Sequence, residues 1–164
     1  MVIEDNFFME LSLAEAWKFQ LLTYPNPAVG CTAVNHENQI LAIEAHQKAG
    51  APHAEVLALQ TAYFKLTNDD KILSLSSSHD IHNYLLTHHD GCFKNVSLHV
   101  TLEPCSHEGK TPSCANLIAK LGVKRVVIAS ADNTQMAAGG EEILKNLNFL
   151  SFLPLHFLQL QALK

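Results

Sequence analysis

Arginine is almost missing from this chain: Arg125 stands alone among 164 residues. The formal charge is −5, and only 16% of residues are charged. Surfaces that hold DNA or RNA need clustered cations to neutralise phosphates, so a nucleic-acid partner is excluded and a small-molecule substrate is expected. Long apolar runs are scarce as well. The stretch FLSFLPLHFLQLQAL near the C-terminus is interrupted by Pro154, His156 and two glutamines, too short and broken for a membrane span. It suits an edge strand and a short helix at a subunit contact. No basic signal opens the chain; Glu4 and Asp5 stand where a secretory leader carries Lys or Arg. A cytoplasmic protein is expected, whose four cysteines serve as ligands, nucleophiles or small core residues before disulfides.

What is present describes one globular domain over residues 1–164, with 48% hydrophobic residues and no internal repeat. At this size folding buries roughly 70% of the surface of the unfolded chain, enough to do without covalent staples. NFFMELSLAEAWKFQLL places Phe7, Leu11, Ala14 and Trp17 near helical spacing, with Asp5 or Asn6 as the cap. CTAVNHENQILAIEAH gives two strands around a polar turn. PHAEVLALQTAYFKL is helical, Pro52 suiting the first helical position. Residues 67–94 are polar and rich in serine and histidine, and predict an insertion or surface excursion. VSLHVTLE, SCANLIAKLG and KRVVIAS then alternate as strand, helix and strand, with a further helix around Gly140–Asn146. The order predicts an α/β domain with helices covering a sheet.

The stretch TLEPCSHEGKTPSCA holds Cys105 at a strand end and Cys114 at a helix start, where Thr111 is the expected cap. A helix N-terminus favours a thiolate. His53 opens another helix, and strand ends meet helix starts on one edge of an α/β layer. His53, Cys105 and Cys114 can therefore converge. One imidazole and two thiolates are the three ligands of a catalytic zinc, which keeps its fourth position for water. Glu55 lies two residues beyond His53, near the metal without binding it, and suits proton transfer. Glu103 is expected to hold backbone N–H groups in place. Cys31 reads as a small core residue; Cys92 takes no role. His79, His82, His88 and His89 read as a solvated loop, and His107 either contacts substrate or hydrogen-bonds its loop.

HAE, followed by PC and a second cysteine, resembles the zinc deaminases of nucleobases and nucleosides. Eight residues separate the cysteines here, and PCSHEGKTPSC, with NPAVGC and HQKAGAPHAEVLAL upstream, resembles the pyrimidine deaminase of bacterial riboflavin biosynthesis. The resemblance runs over most of residues 6–130. It implies a cytidine deaminase-like three-layer α/β/α sandwich around a mixed five-stranded sheet. It also implies removal of the 2-amino group of 2,5-diamino-6-ribosylamino-4(3H)-pyrimidinone 5′-phosphate, with His53, Cys105 and Cys114 on zinc and Glu55 shuttling protons. Asn26, His46, Lys110, Thr111 and Asp132 match its substrate positions.

Two departures from that family bear on substrate and partners. Ala131-Asp132-Asn133-Thr134 lacks the two prolines of the family's D-P-N-P loop. Members commonly continue into a reductase domain, whereas the sequence ends at Lys164, so either a deaminase half or a truncated piece of a bifunctional protein is expected. A homodimer and a separate reductase acting on the product stay open as partners. So do two other functions: a deaminase of another free base or nucleoside, and a catalytically silent zinc domain.

Overall fold

The computed structural model describes residues 4–107, 109, 111–132, 139–145 and 150–152. Five strands form one mixed sheet: β1 (Gly30–Val34), β2 (Ile40–Ala45), β3 (Ser97–Val100), β4 (Arg125–Ile128) and β5 (Leu150–Phe152), in the order β2-β1-β3-β4-β5. β1 pairs antiparallel with both β2 and β3, whereas β3, β4 and β5 run parallel. The β1–β2 hairpin forms as expected. Asn35 closes it, its Oδ1 accepting from the N–H groups of Glu37 and Gln39.

Helix α1 (Asp5–Trp17) covers one face of the sheet. Alternation in β1 aims Gly30 and Thr32 at it, and a Cβ on Gly30 would fall 1.9 Å from the Ser12 carbonyl oxygen. Ser12 donates to the Phe8 carbonyl and sits 2.8 Å from the Thr32 hydroxyl. The helix therefore lies directly on the strand. Its buried residues are Phe8, Met9, Ser12 and Ala16, whereas Phe7 and Trp17 are exposed. The buried face is shifted from the expected Phe7–Leu11–Ala14–Trp17 row, because the small polar Ser12 rather than Leu11 faces the sheet. Asp5 is no cap either. Glu4 holds that position, and the Asp5 carboxylate takes Arg125 Nη1 at 2.8 Å and Nη2 at 2.6 Å.

The opposite face receives Cys31, Ala33, Leu98, Val100, Val126 and Ile128 into the main core, packed beneath α2 (Ala54–Thr67), α3 (Ser78–His88) and α4 (Cys114–Leu121). Together with α1 across the sheet this makes the three-layer sandwich. The polar segment 67–94 is not a surface excursion. It holds a 3-10 turn at Asp70–Ser74 and the whole of α3, and it buries Ile72, Ile81, Leu85 and Phe93 completely. Each such side chain stabilises the fold by about 1.5–3 kcal/mol, which outweighs the polar average of the segment. Asp69 locks it to α2 by accepting from the hydroxyls of Tyr84 and Tyr63. The short α5 (Gly140–Lys145) packs on α4. The tail beyond Phe152 lies outside the described residues. Among the described residues no helix is long and apolar enough to cross a membrane.

Candidate metal centre and its surroundings

Two helix starts and the loop after β3 build the site, Cys105 lying five residues past the strand end where it was expected. Pro52 lies before α2 rather than at its first position, and His53 is the N-cap residue, in extended conformation. At the other start Ser113, not Thr111, caps α4: its Oγ accepts from Asn116 N–H and donates to the Cys105 carbonyl at 2.9 Å. The same carbonyl accepts from Ala115 N–H at 3.1 Å. These bonds fasten the loop after β3 onto the first turn of α4. Cys114 is thereby the first helical residue, and its N–H points at Cys105 Sγ, 3.5 Å away.

His53 Nδ1 lies 3.7 Å from Cys105 Sγ and 3.4 Å from Cys114 Sγ. Metal–ligand bonds of 2.0–2.3 Å at tetrahedral angles separate nitrogen from sulfur by about 3.6 Å. His53 Nδ1 therefore already stands at the separation from each sulfur that a zinc ion requires, and the three ligand atoms lie within 4.8 Å of one another. They form the one group of three metal-ligating side chains found together among the described residues. The described cysteines are all free of disulfides. The Cys114 thiol and His53 beside Cys105 hold its thiol below the ordinary range, while the hydrogen bond with Cys105 and burial push Cys114 up. Binding a divalent cation would require both thiols to give up their protons.

Glu55 occupies the first turn of α2 and is 3% exposed. Burial raises its carboxyl to about 6, although His53 opposes the shift. A carboxyl so placed exchanges protons near neutrality, as a proton shuttle must. Cys31 is fully buried behind it, a core residue as expected.

Beside the thiols, His46 stands at 5.2 Å from His53, ring edge to ring face. Its Nδ1–H donates to the Pro52 carbonyl at 3.1 Å, and Nε2 accepts from Asn26 Nδ2 at 3.2 Å. Burial lowers its pKa, in keeping with a neutral ring that orients Asn26. Asn26 is exposed and Thr111 half-buried, so both are open to a ligand. Asp132 is half-buried. Lys110, Asn133 and Thr134 lie outside the described residues. His107 is exposed.

One residue carries more than its sequence context suggested. His82, read as part of a solvated loop, is 4% exposed; its Nδ1 bonds the Ser78 carbonyl, and its ring approaches the Ser113 backbone. Only the i, i+4 spacing of Ile81 and Leu85 around it could have signalled this. Glu103 is buried as well, and it accepts three backbone N–H bonds, as its place before the Pro-Cys turn suggested.

Residues 2–130 match the cytidine and deoxycytidylate deaminase zinc-binding region. The chain is 38% identical over 143 residues to the riboflavin biosynthesis protein RibD of Aquifex aeolicus, covering 87% of this chain and 32% of that protein. It is 33% identical over 145 residues to the diaminohydroxyphosphoribosylamino-pyrimidine deaminase of Buchnera aphidicola, covering 87% and 79%. It thus spans about a third of the length of RibD-type relatives and most of the shorter deaminase. Among solved structures, the Thermotoga maritima diaminohydroxyphosphoribosylaminopyrimidine deaminase/5-amino-6-(5-phosphoribosylamino)uracil reductase superposes with a TM-score of 0.71 at 31% identity, over 90% of this chain and 36% of that one. Fold, ligand geometry and likeness agree: the chain belongs to the cytidine and deoxycytidylate deaminase family, on the branch of the riboflavin-pathway pyrimidine deaminases.

Proposed function

We propose that this chain hydrolyses the 2-amino group from 2,5-diamino-6-ribosylamino-4(3H)-pyrimidinone 5′-phosphate and releases ammonia. The observation that carries this is the buried Glu55 beside a preformed trio of His53, Cys105 and Cys114. Those three would hold zinc, which when bound supplies the Lewis acidity that makes water nucleophilic at neutral pH. Glu55 takes a proton from the attacking water and delivers it to the ring nitrogen next to C2; it then takes the proton of the new C2 hydroxyl and delivers it to the departing amine, so that ammonia leaves and a C2 carbonyl remains. Its raised pKa suits both accepting and giving. His46 and Asn26 orient the pyrimidine. Thr111 and Lys110 serve the phosphate at the approach to α4, and Asp132 contacts substrate from the facing loop. We further infer that the protein works in the cytoplasm, where its thiols stay reduced, and that a reductase consumes the product.

Ammonia release from the diaminopyrimidinone phosphate, by protein of measured zinc content, tests the reading directly. Turnover that collapses in Glu55→Gln is expected; a fully metallated wild type that releases none would sink it. The altered residues 131–134 favour one second reading, a deaminase of another base or nucleoside. Turnover of cytidine, guanine or adenosine in the same assay, without turnover of the phosphate, would establish that instead.

A further inference from the structure

Glu103 lies two residues before Cys105 and is 7% exposed. Its Oε2 accepts from Asp132 N–H at 3.0 Å, and its Oε1 from Gly139 N–H at 3.3 Å and Glu141 N–H at 2.8 Å. The Glu103 N–H itself donates to the Ser130 carbonyl at 2.9 Å. One carboxylate thus ties the backbone at Asp132 to that at Gly139 and Glu141. Glycines bring the start of α5 in. A Cβ on Gly140 would fall 1.8 Å from the Pro104 carbonyl oxygen, and Gly139 has φ +113°, a conformation L side chains rarely adopt. The chain at 139–141 is therefore pressed against the loop that delivers Cys105.

A carboxylate is the side chain suited to this task. Its two oxygens offer about four lone-pair positions and carry no donor to repel converging N–H groups. A buried acceptor with three donors is also costly to replace. Packing alone would not need both stretches of backbone to meet on a single side chain.

We propose that Glu103 is a positioning residue for substrate binding: it holds Asp132 and the start of α5 against the Cys105 loop, so that metal and substrate contacts keep one spacing. This rests on the deaminase function proposed above, with Asp132 as a substrate contact. Metal binding itself does not depend on it, because the Ser113 and Ala115 bonds hold Cys105 from the other side.

The test is Glu103→Gln, which keeps the shape but turns an NH2 toward the N–H groups. Losing one or two charge-assisted bonds predicts a KM for the pyrimidine phosphate about tenfold higher or more, with kcat within about threefold. Zinc content should stay at the wild-type value, and amide exchange at Gly139 and Glu141 should quicken. Adding Glu103→Gln to Asp132→Ala should raise KM no further than Asp132→Ala alone. Gly140→Ala pushes the start of α5 off Pro104 with Glu103 intact and should repeat the KM effect. Unchanged KM, a fall in kcat alone, zinc loss in Glu103→Gln, or additive effects in the double variant would overturn the proposal. Wild type that releases no ammonia would remove the substrate role. Faster exchange in Glu103→Gln would then place the fault in the substrate reading, and unchanged exchange would remove the tether too.

Discussion

Two clusters in this molecule pair a histidine with a carboxylate, on opposite faces of one sheet. Beneath α1, Asp5 meets His99 Nε2 at 2.9 Å and grips Arg125, whose Nη2 also reaches Ser151. Across the sheet, Glu55 stands by His53 and two thiols with no guanidinium among their described partners. The carboxyls respond in opposite ways. Burial would raise Asp5, but the Arg125 and His99 hydrogen bonds outweigh it and hold it below its ordinary value. Burial wins at Glu55, which rises to about 6. Where the chain supplies its own cation the charges are spent on holding elements together. Across the sheet burial outweighs His53, an arrangement that suits the proton transfer proposed for Glu55.

The sharpest way to separate the clusters is Glu55→Gln. Loss of a proton shuttle costs about 10²–10⁴ in rate, so kcat should fall about a thousandfold while zinc content and Tm hold. Stripping zinc by chelation comes next. Metal at a thousand times its dissociation constant stabilises by about 4 kcal/mol, so the apo protein should melt lower yet keep its far-ultraviolet circular dichroism at 25 °C. A collapse of the spectrum on chelation would show that the trio is not preformed.

Arg125→Met attacks the other cluster. Removing one partner of a charge-assisted, partly buried pair costs about 2 kcal/mol, read as a lower urea midpoint with kcat almost unchanged. A smaller effect follows acid. Burial lowers the His99 pKa from 6.5, so below that pH the unfolded chain binds a proton that the folded one resists. Asp5 acts in the same direction: its contribution is whole above 3.8 and is lost as pH falls through its depressed folded value. Stability should decline from pH 7 toward 5, and His99→Gln should flatten that limb; an equally steep limb in the variant would clear His99. Smallest of all, Trp17→Ser removes a side chain that is 64% exposed, and should change stability by less than about 0.5 kcal/mol.

The open cluster was legible in the sequence because metal chemistry dictates residue type and spacing together. HAE and the two Pro-flanked cysteines name their elements as well as their atoms. The closed cluster was not, since Asp5, His99 and Arg125 come from three separate elements, and only the register of β3 with β4 brings the latter two to one face. Segment 67–94 misled for a related reason: its serines and histidines set the average, whereas Ile81 and Leu85 at helical spacing set the fold. His82 lay within that error. Ser113 displaced Thr111 as cap because Cys114 itself starts the helix.

The intervals between the three ligands carry one more consequence, for the order in which the centre forms. Cys105 and Cys114 are nine residues apart, His53 and Cys105 fifty-two. By loop-closure entropy the longer interval costs about 1.6 kcal/mol more to close in a flexible chain. During refolding the cysteine pair should therefore come together as a two-handed clasp before the histidine reaches it. Cobalt added early in refolding should show thiolate charge-transfer absorption ahead of the full tetrahedral spectrum, and simultaneous appearance of the two would contradict that sequence of events.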